Sequence, residues 1–478
     1  MTHSTLLADE QALTAGEDAH DQVLQAGSED QEDTSALDKP ITSRWLIRFS
    51  LPTILSTLFM SSFVTIDGIF AARVIDSAAF AVTNLVWPYV SFAMAVGFML
   101  SIGGSAIVAK RLGEGQRSVA RANFTTLTLV TVGASALLAA LGLLFPDLVF
   151  NILGVDELLR PMALEYLRPM LFLLPSAMMG FFIQQYFITE GKANVGFMVT
   201  LIGGLVNLGL NFLFIMHFQW GLHGAALSTG IGWSIPAVFG LVYFWRNRRN
   251  PAGMLYFVRP SWDGQMLGKA SVNGASEMIT MLASSVTFAL INNILMDRVG
   301  YTGVAAAGIM LVGQMIITST FIGFATGIAP IISFNFGKGD QQRLQRLFKR
   351  SLVIITIAAV MSIVAGWFLA HPLTLIYVPV GSEIYDIAVL AFRFGLLGFL
   401  FMGINTFASI MFTALNNGLV SGLLSFFRTL VFVVFMASLL PAILDANGIW
   451  LTLPAAELLA FGTSVFVLWK MRGRYNYA

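Results

Sequence analysis

Asp67 is a lone acid inside the uncharged stretch LPTILSTLFMSSFVTIDGIF, which is long enough to cross a bilayer. A carboxylate costs about 2.5–3.5 kcal/mol at the centre of a membrane helix on insertion scales, so its presence points to use. Such a group can take up H⁺ or Na⁺ and release it when its surroundings change. Ser56, Met60 and Phe63 precede it by eleven, seven and four residues, on the same helix face. Asn207 and Asn211, spaced i, i+4 in LVNLGLNFLFI, also share a face. Their carbonyl oxygens suit a hard cation, their amides suit a carboxylate, and either could simply join two helices. Thr229, in GAALSTG, offers a hydroxyl that could serve the same site or bond back to its own helix.

The later part of the chain holds other polar groups at membrane depth. Glu277 lies in NGASEMITML, as a cavity residue or as an interfacial acid paired with Lys269. Asn292, Asn293 and Gln314 are further candidates, and Arg428 in LLSFFRTLVF either lines a cleft or snorkels to the interface. Glu457 and Arg393 read as helix–helix contacts. Met60, Phe63, Glu277, Asn292, Gln314 and Arg428 are expected around a substrate cavity. The 22 Met and 40 Phe serve packing and lipid contact, and some of them suit a soft hollow for bulky apolar cations.

Positioning these groups requires a membrane fold. Hydrophobic residues make up 56% and charged residues 11%, against roughly a quarter charged in soluble domains. The expected class is an all-α polytopic membrane protein. Twelve spans are predicted at 44–69, 79–105, 120–145, 161–187, 196–216, 221–245, 270–296, 302–332, 350–370, 384–414, 418–441 and 448–470. Twenty-one of the 27 Lys and Arg residues fall in the even-numbered connections and the terminal segments, and only Arg73, Arg160 and Arg298 in the odd-numbered ones. That asymmetry predicts cytoplasmic termini in a cytoplasmic membrane.

The chain also repeats itself. Asp67 and Arg73 correspond to Asn292 and Arg298, 225 residues on, while Gly103, Gly113 and Gly115 correspond to Gly327, Gly337 and Gly339, 224 residues on. Six spans precede the polar, proline-bearing connection and six follow it. Two pseudo-symmetric six-helix lobes, related by an axis along the membrane normal, are therefore expected. The expected organisation is an acidic, disordered cytoplasmic tail (1–40), a first lobe (41–250), a linker (251–268) and a second lobe (269–478). Without cysteine there is no disulfide framework, zinc–thiolate site or thiol chemistry. The paired GxG turns lack a preceding strand and a GxxxxGK[ST] pattern, and no catalytic constellation appears, which argues against an enzyme. The charges sit in loops, so a net charge of +1 gives no reason to expect nucleic acid.

At this point the residues resemble the multidrug and toxic compound extrusion (MATE) transporters, over essentially all of 44–470. The features that carry the resemblance are Pro52 fifteen residues before Asp67, RLGEGQ with its echo NFGKGDQQ, the paired loops EGKANVGFM and NNGLVSGLLSFFR, and Arg428. The paired Asn and the SEM of the seventh span lean towards the bacterial DinF/MepA-like branch. The resemblance implies a coupling-cation site in the first lobe at Asp67, Asn207 and Thr229, and a first helix that bends near Pro52. Asn211 stands where the family often has a second aspartate, which leaves H⁺ and Na⁺ both open as coupling ion. The implied activity is export of a small organic cation or drug in exchange for that ion by rocking of the lobes, with no cofactor and no resident metal, in a protein that could act as a monomer. A flippase for a lipid-linked precursor is the alternative. It would need a cationic cavity, and away from their ends the spans hold few basic residues: Arg168, Arg393 and Arg428.

Overall fold

In lipid every backbone N–H and C=O must be satisfied within the chain, so each apolar stretch becomes a helix. The computed structural model describes residues 36–70, 77–250 and 253–478. The acidic segment 1–35, Arg73 and Pro251 lie outside the described residues. The stretch before Ile41 carries one short 3₁₀ turn, Ala36–Asp38. Beyond it, twelve helices are long and apolar enough to cross a membrane. They are α1 (Ser43–Phe70), α2 (Ser77–Gly113), α3 (Arg117–Leu144), α4 (Arg160–Thr189), α5 (Ala193–Asn211), α6 (Gly221–Arg246), α7 (Gly264–Arg298), α8 (Tyr301–Lys338), α9 (Gln341–Tyr377), α10 (Glu383–Ala414), α11 (Gly418–Asp445) and α12 (Asn447–Tyr475). A short helix, Pro146–Leu153, joins α3 to α4. At Asp445 the backbone leaves helical geometry (φ 48°, ψ −134°) and separates α11 from α12. α7 begins inside the stretch expected to be linker.

The helix neighbours show the duplication. In the first lobe α2 packs on α3 and α4, α4 on α3 and α6, and α1 on α5; in the second lobe α8, α9, α10, α12, α7 and α11 repeat the same pairings. Across the lobes α1 meets α8, α2 meets α7 and α2 meets α8. A two-fold axis turns the first of these pairs into the second and maps the third onto itself. The expected two lobes of six helices are therefore present.

The repeated glycines now have a physical reason. Gly113 leaves no room for a Cβ beside the Phe334 carbonyl, nor does Gly337 beside that of Lys110. Gly103 and Gly274 face each other with the backbones of Ala270 and Met99 against them. The symmetry-related crossing sets Gly327 against Ser50 and Thr53. Small residues let helix backbones approach in a membrane, where apolar burial between helices contributes little. Gly115 and Gly339 serve the turns instead. Their φ values of 77° and 73° lead the chain out of α2 and α8. All these contacts lie in the half of the bundle that carries the basic connections, called here the basic end.

At that end the linker is strapped to the first lobe. Arg121 of α3 donates to the carbonyls of Met254 (3.0 Å) and Gly253 (3.2 Å) and lies over the Tyr256 ring at 4.1 Å. The amides of Val258 and Ser261 donate to Thr125 (3.1 Å) and Thr126 (3.0 Å). Glu190, only 4% exposed just after α4, accepts from the Met254 amide (3.0 Å), the Leu255 amide (2.7 Å) and Asn247 Nδ2 (2.9 Å). Burial lifts the Glu190 carboxyl to about 7, with Asn247, the two amides and Lys192 pulling the other way.

This packing can be tested at a glycine crossing and at the strap. Gly274→Ala forces α7 off α2 and costs about 1–3 kcal/mol, whereas Gly268→Ala, in open space, is neutral or stabilising by up to roughly 1 kcal/mol. Thermal unfolding of the two variants in one detergent compares them. The strap depends on Glu190. A released Glu190 ionises above about 4.5, while the strapped one keeps its proton to about 7. Stability of the strap is thus full below that window and falls as pH rises through it, by up to about 1.4 kcal/mol per unit. Protection factors of the Met254 and Leu255 amides should fall between pH 4.5 and 7 and then level off. In Glu190→Gln, whose amide mimics the protonated acid, they should stay flat. The same slope in both proteins would contradict the assignment.

Candidate functional site

Asp67 lies in the last turns of α1, facing α5 and α6. Asn211 Nδ2 donates to its Oδ1 at 2.5 Å, and Thr229 Oγ1 donates to its Oδ2 at 3.1 Å. Asn207, with its amide turned to suit both neighbours, donates to Oδ1 at 3.2 Å and accepts from the Thr229 amide at 3.3 Å. The i, i+4 pair of asparagines therefore does meet the acid from one face of α5, and the four residues expected to couple an ion stand together. Asn207, Asn211 and Thr229 are buried (5, 1 and 6% exposed), and Asp67 is half-buried. No basic side chain pairs with Asp67 among the described residues.

The helix geometry supports this cluster. α5 continues past Asn211 as a π-helical turn, Phe212–His217. Such turns widen the hydrogen-bond ladder and occur often at functional sites. Ser228, fully buried one residue before Thr229, donates to Asn211 Oδ1 and to the Ala225 carbonyl (2.9 Å). When its single hydrogen goes to Asn211 Oδ1, it supports the amide orientation whose N–H faces Asp67. Ser228 went unnoticed in the sequence, although the adjacent Ser-Thr pair was its signal.

The arrangement suits one chemistry in particular. Every neighbour of the carboxylate is a neutral donor, so the ionised form is hydrogen-bonded without a counter-ion. Thr229 also reaches the Ala225 carbonyl at 3.0 Å. Its hydroxyl hydrogen can turn there, leaving Oγ1 free to accept from a protonated Asp67. A cation bound by oxygens would instead need the Asn211 amide to turn over, while Asn207 can offer Asp67 either its N–H or its oxygen.

Asp67, Met60, Phe63 and Asn207 line a cavity of about 400 Å³ built mostly from the first lobe, together with Thr200, Gln184 and residues of α2, α4 and α6. Its apolar wall is a run of rings: Trp87 edge-on to Trp233 (6.3 Å), Trp233 edge-on to Phe181 (5.7 Å), and Phe181 against Phe98 (5.0 Å). The second lobe contributes Met281, Met315 and Ile322. These rings were indistinguishable among the other aromatics of the sequence. No Lys or Arg lines the cavity among the described residues.

Four of the side chains expected around a substrate cavity lie elsewhere. Arg428, in a second π-helical turn (Phe427–Val431), donates to both Glu457 oxygens (2.9 and 3.1 Å) and to Thr406 (2.9 Å). Asn405 adds a bond to Glu457 at 2.7 Å. A buried guanidinium needs such partners, and finding them inside the second lobe keeps it out of the cavity. Glu277 is half-buried in α7 and forms no ion pair with Lys269. Gln314 is half-buried with its Oε1 unpartnered, and Asn292, at the position equivalent to Asp67, is half-buried in α7. Arg393 bonds His371 at 3.0 Å and lies over Trp367, joining α10 to α9 as its helix-contact reading expected. Pro52 is buried in an unbroken α1, its carbonyl accepting from Ser56 at 2.9 Å.

Comparison with known proteins agrees with this architecture. The MatE family model matches residues 52–213 and 278–438, once in each lobe. Multidrug export protein MepA of Staphylococcus aureus (strain MRSA252) is 22% identical over 435 residues, covering 90% of this chain and 94% of that protein. MepA of Staphylococcus haemolyticus is 22% identical over 447 residues with the same coverage. Among solved structures, an outward-facing multidrug resistance MATE transporter superposes with a TM-score of 0.84 at 19% identity, over 92% of this chain and 98% of that one. A MOP-superfamily transporter from Pyrococcus furiosus gives 0.83 at 19% identity, over 94% and 99%.

The roles of the Thr229 hydroxyl can be separated by substitution. Thr229→Val removes the group that reverses from donor to acceptor, and should slow ion-coupled flux roughly tenfold, the worth of one hydrogen bond to a charged group. Thr229→Ser should keep most of it. Initial rates in proteoliposomes measure both, and equal rates for Val and wild type would remove the hydroxyl from the site.

Proposed function

Because this chain belongs to the MatE (MATE) family, whose members are transporters and not enzymes, we propose that it is a secondary antiporter that exports organic cations across the cytoplasmic membrane in exchange for protons bound at Asp67. The single observation that carries the reading is the lone carboxylate with neutral donors, opening on an aromatic cavity. A cation is attracted to ring faces and to a carboxylate, and an apolar cavity admits varied shapes. Similarity to multidrug export proteins supports the substrate class.

The steps follow from the geometry. The lobes touch at the basic end, which the positive-inside rule makes cytoplasmic, so the conformation described is the outward-facing one. A proton from outside reaches Asp67 and cancels the charge that held the substrate cation. Thr229 reverses its hydrogen bond, the hold of α1 on α5 and α6 changes, and α1 gives at Pro52, which has no N–H to bond the preceding turn. The cavity narrows and the substrate leaves outward. The lobes then rock, and the proton is released inward. A lipid-linked pyrophosphate, the flippase substrate, finds no basic residue in this cavity among the described residues. Sodium coupling is the less economical reading, since it requires the Asn211 amide to turn over against its bond from Ser228. One polypeptide contains every residue of the scheme.

One carboxylate carries one proton, so exchange for a monovalent cation moves no net charge. The membrane potential, worth about 2.3 kcal/mol per charge at 100 mV, then does no work, while each pH unit supports a tenfold substrate gradient. In proteoliposomes an imposed pH gradient should drive efflux of a fluorescent monovalent cation. A Na⁺ gradient or a potential alone should not, and Asp67→Asn should abolish the flux while leaving the protein folded. Efflux driven by Na⁺ at uniform pH, or an active Asp67→Asn protein, would refute this function.

A further inference from the structure

The far end of α6 carries a second, unrelated polar feature. Trp245, Arg246, Arg248 and Arg249 surround a hollow of about 580 Å³ where the apolar span ends. Trp245 is 68% exposed, and the three arginines are exposed too. Among the described residues none of these guanidiniums has a carboxylate or hydrogen-bond partner. The nearby acid, Glu190, is spent on Asn247 and the linker amides.

The cluster is held in shape from beneath. Asn247, 5% exposed, sits in the 3₁₀ turn Asn247–Arg249 and points inward. Its Nδ2 donates to Glu190 (2.9 Å) and to the Leu255 carbonyl (2.8 Å), and its Oδ1 accepts from Asn250 (3.2 Å). With Asn247 pinned, its neighbours on both sides are turned outward around one hollow. Orientation in the membrane requires only positive charge on a loop. It does not require three unpaired guanidiniums converging beside an exposed tryptophan on a buried polar anchor.

We propose that this hollow is a binding site for the phosphate headgroup of an anionic phospholipid. The planar guanidiniums match phosphate oxygens in pairs, and tryptophan favours the boundary between headgroup and hydrocarbon. The volume is that of a small-molecule site. An occupied site would stiffen the turn from which the lobe-joining linker departs.

The full-length protein, delipidated in detergent, tests this by native mass spectrometry and thermal unfolding with three probes: phosphatidylglycerol, phosphatidylcholine and free glycerol 3-phosphate. The wild type should retain and be stabilised by phosphatidylglycerol only. Arg246→Gln, Arg248→Gln and Arg249→Gln combined should lose that retention, at roughly fivefold per arginine. The corresponding triple Lys variant, which keeps the charge and protects against a folding artefact, should bind more weakly than the wild type. Neutralising Arg346, Lys349 and Arg350 elsewhere at the same end should leave retention unchanged. Equal retention by the Lys triple, or equal loss in the second cluster, would mean diffuse charge and overturn the site. Stabilisation by glycerol 3-phosphate alone, or by phosphatidylcholine, would overturn the lipid assignment.

Discussion

A carboxylate at membrane depth must be hydrogen-bonded, protonated or paired, and Asp67 is held by donors that carry no charge. That constraint organises the first lobe. α1, α5 and α6 have to converge so that two amides and a hydroxyl reach one carboxyl group. Asn211 in turn needs Ser228 to keep its N–H directed inward. With no counter-ion among the described residues, the proposed function lets the occupant decide the charge of the site: substrate cation on an ionised acid, or a proton that removes the charge. In that proposal the mutual exclusion that antiport requires reduces to one group and one charge.

The scaffold is symmetric and its chemistry is not. Both lobes repeat the same helix pairings, and the lobes meet through equivalent crossings of small residues. Yet Asn292 stands where the first lobe has its acid, and the second lobe's charges at membrane depth, Arg428 and Glu457, neutralise each other. A buried pair of this kind is weak evidence for stability, and serves better to fix one packing of α11 against α12. Contacts between backbones at glycine are a natural pivot, since such surfaces separate without breaking long interdigitated side chains.

Much of this was legible in the residues. A lone acid in an apolar run and two asparagines four apart are local patterns, and each meaning survives folding because a helix keeps its faces. Twelve spans and the duplication followed from apolar length and from the 224–225 residue echo. Other features needed the third dimension. Gly113 and Gly337 read as turn residues, because the backbone each one touches belongs to the other lobe. Arg428 read as a cleft residue, because Glu457 lies 29 positions away on another helix. The aromatic wall of the cavity was hidden among 40 Phe and nine Trp, since composition does not say which rings share a hollow. Strapping of the linker by Glu190 was invisible for the same reason.

The exchange of substrate charge for a proton can be measured without a membrane. Adding a monovalent substrate cation to the detergent-purified protein in weakly buffered solution, below the pH at which Asp67 is already ionised, should release close to one proton per cation bound. The Asp67→Asn protein should release none. Equal proton release from both proteins, or binding to the wild type with no release at any pH, would contradict the claim that a single carboxylate alternates between the two.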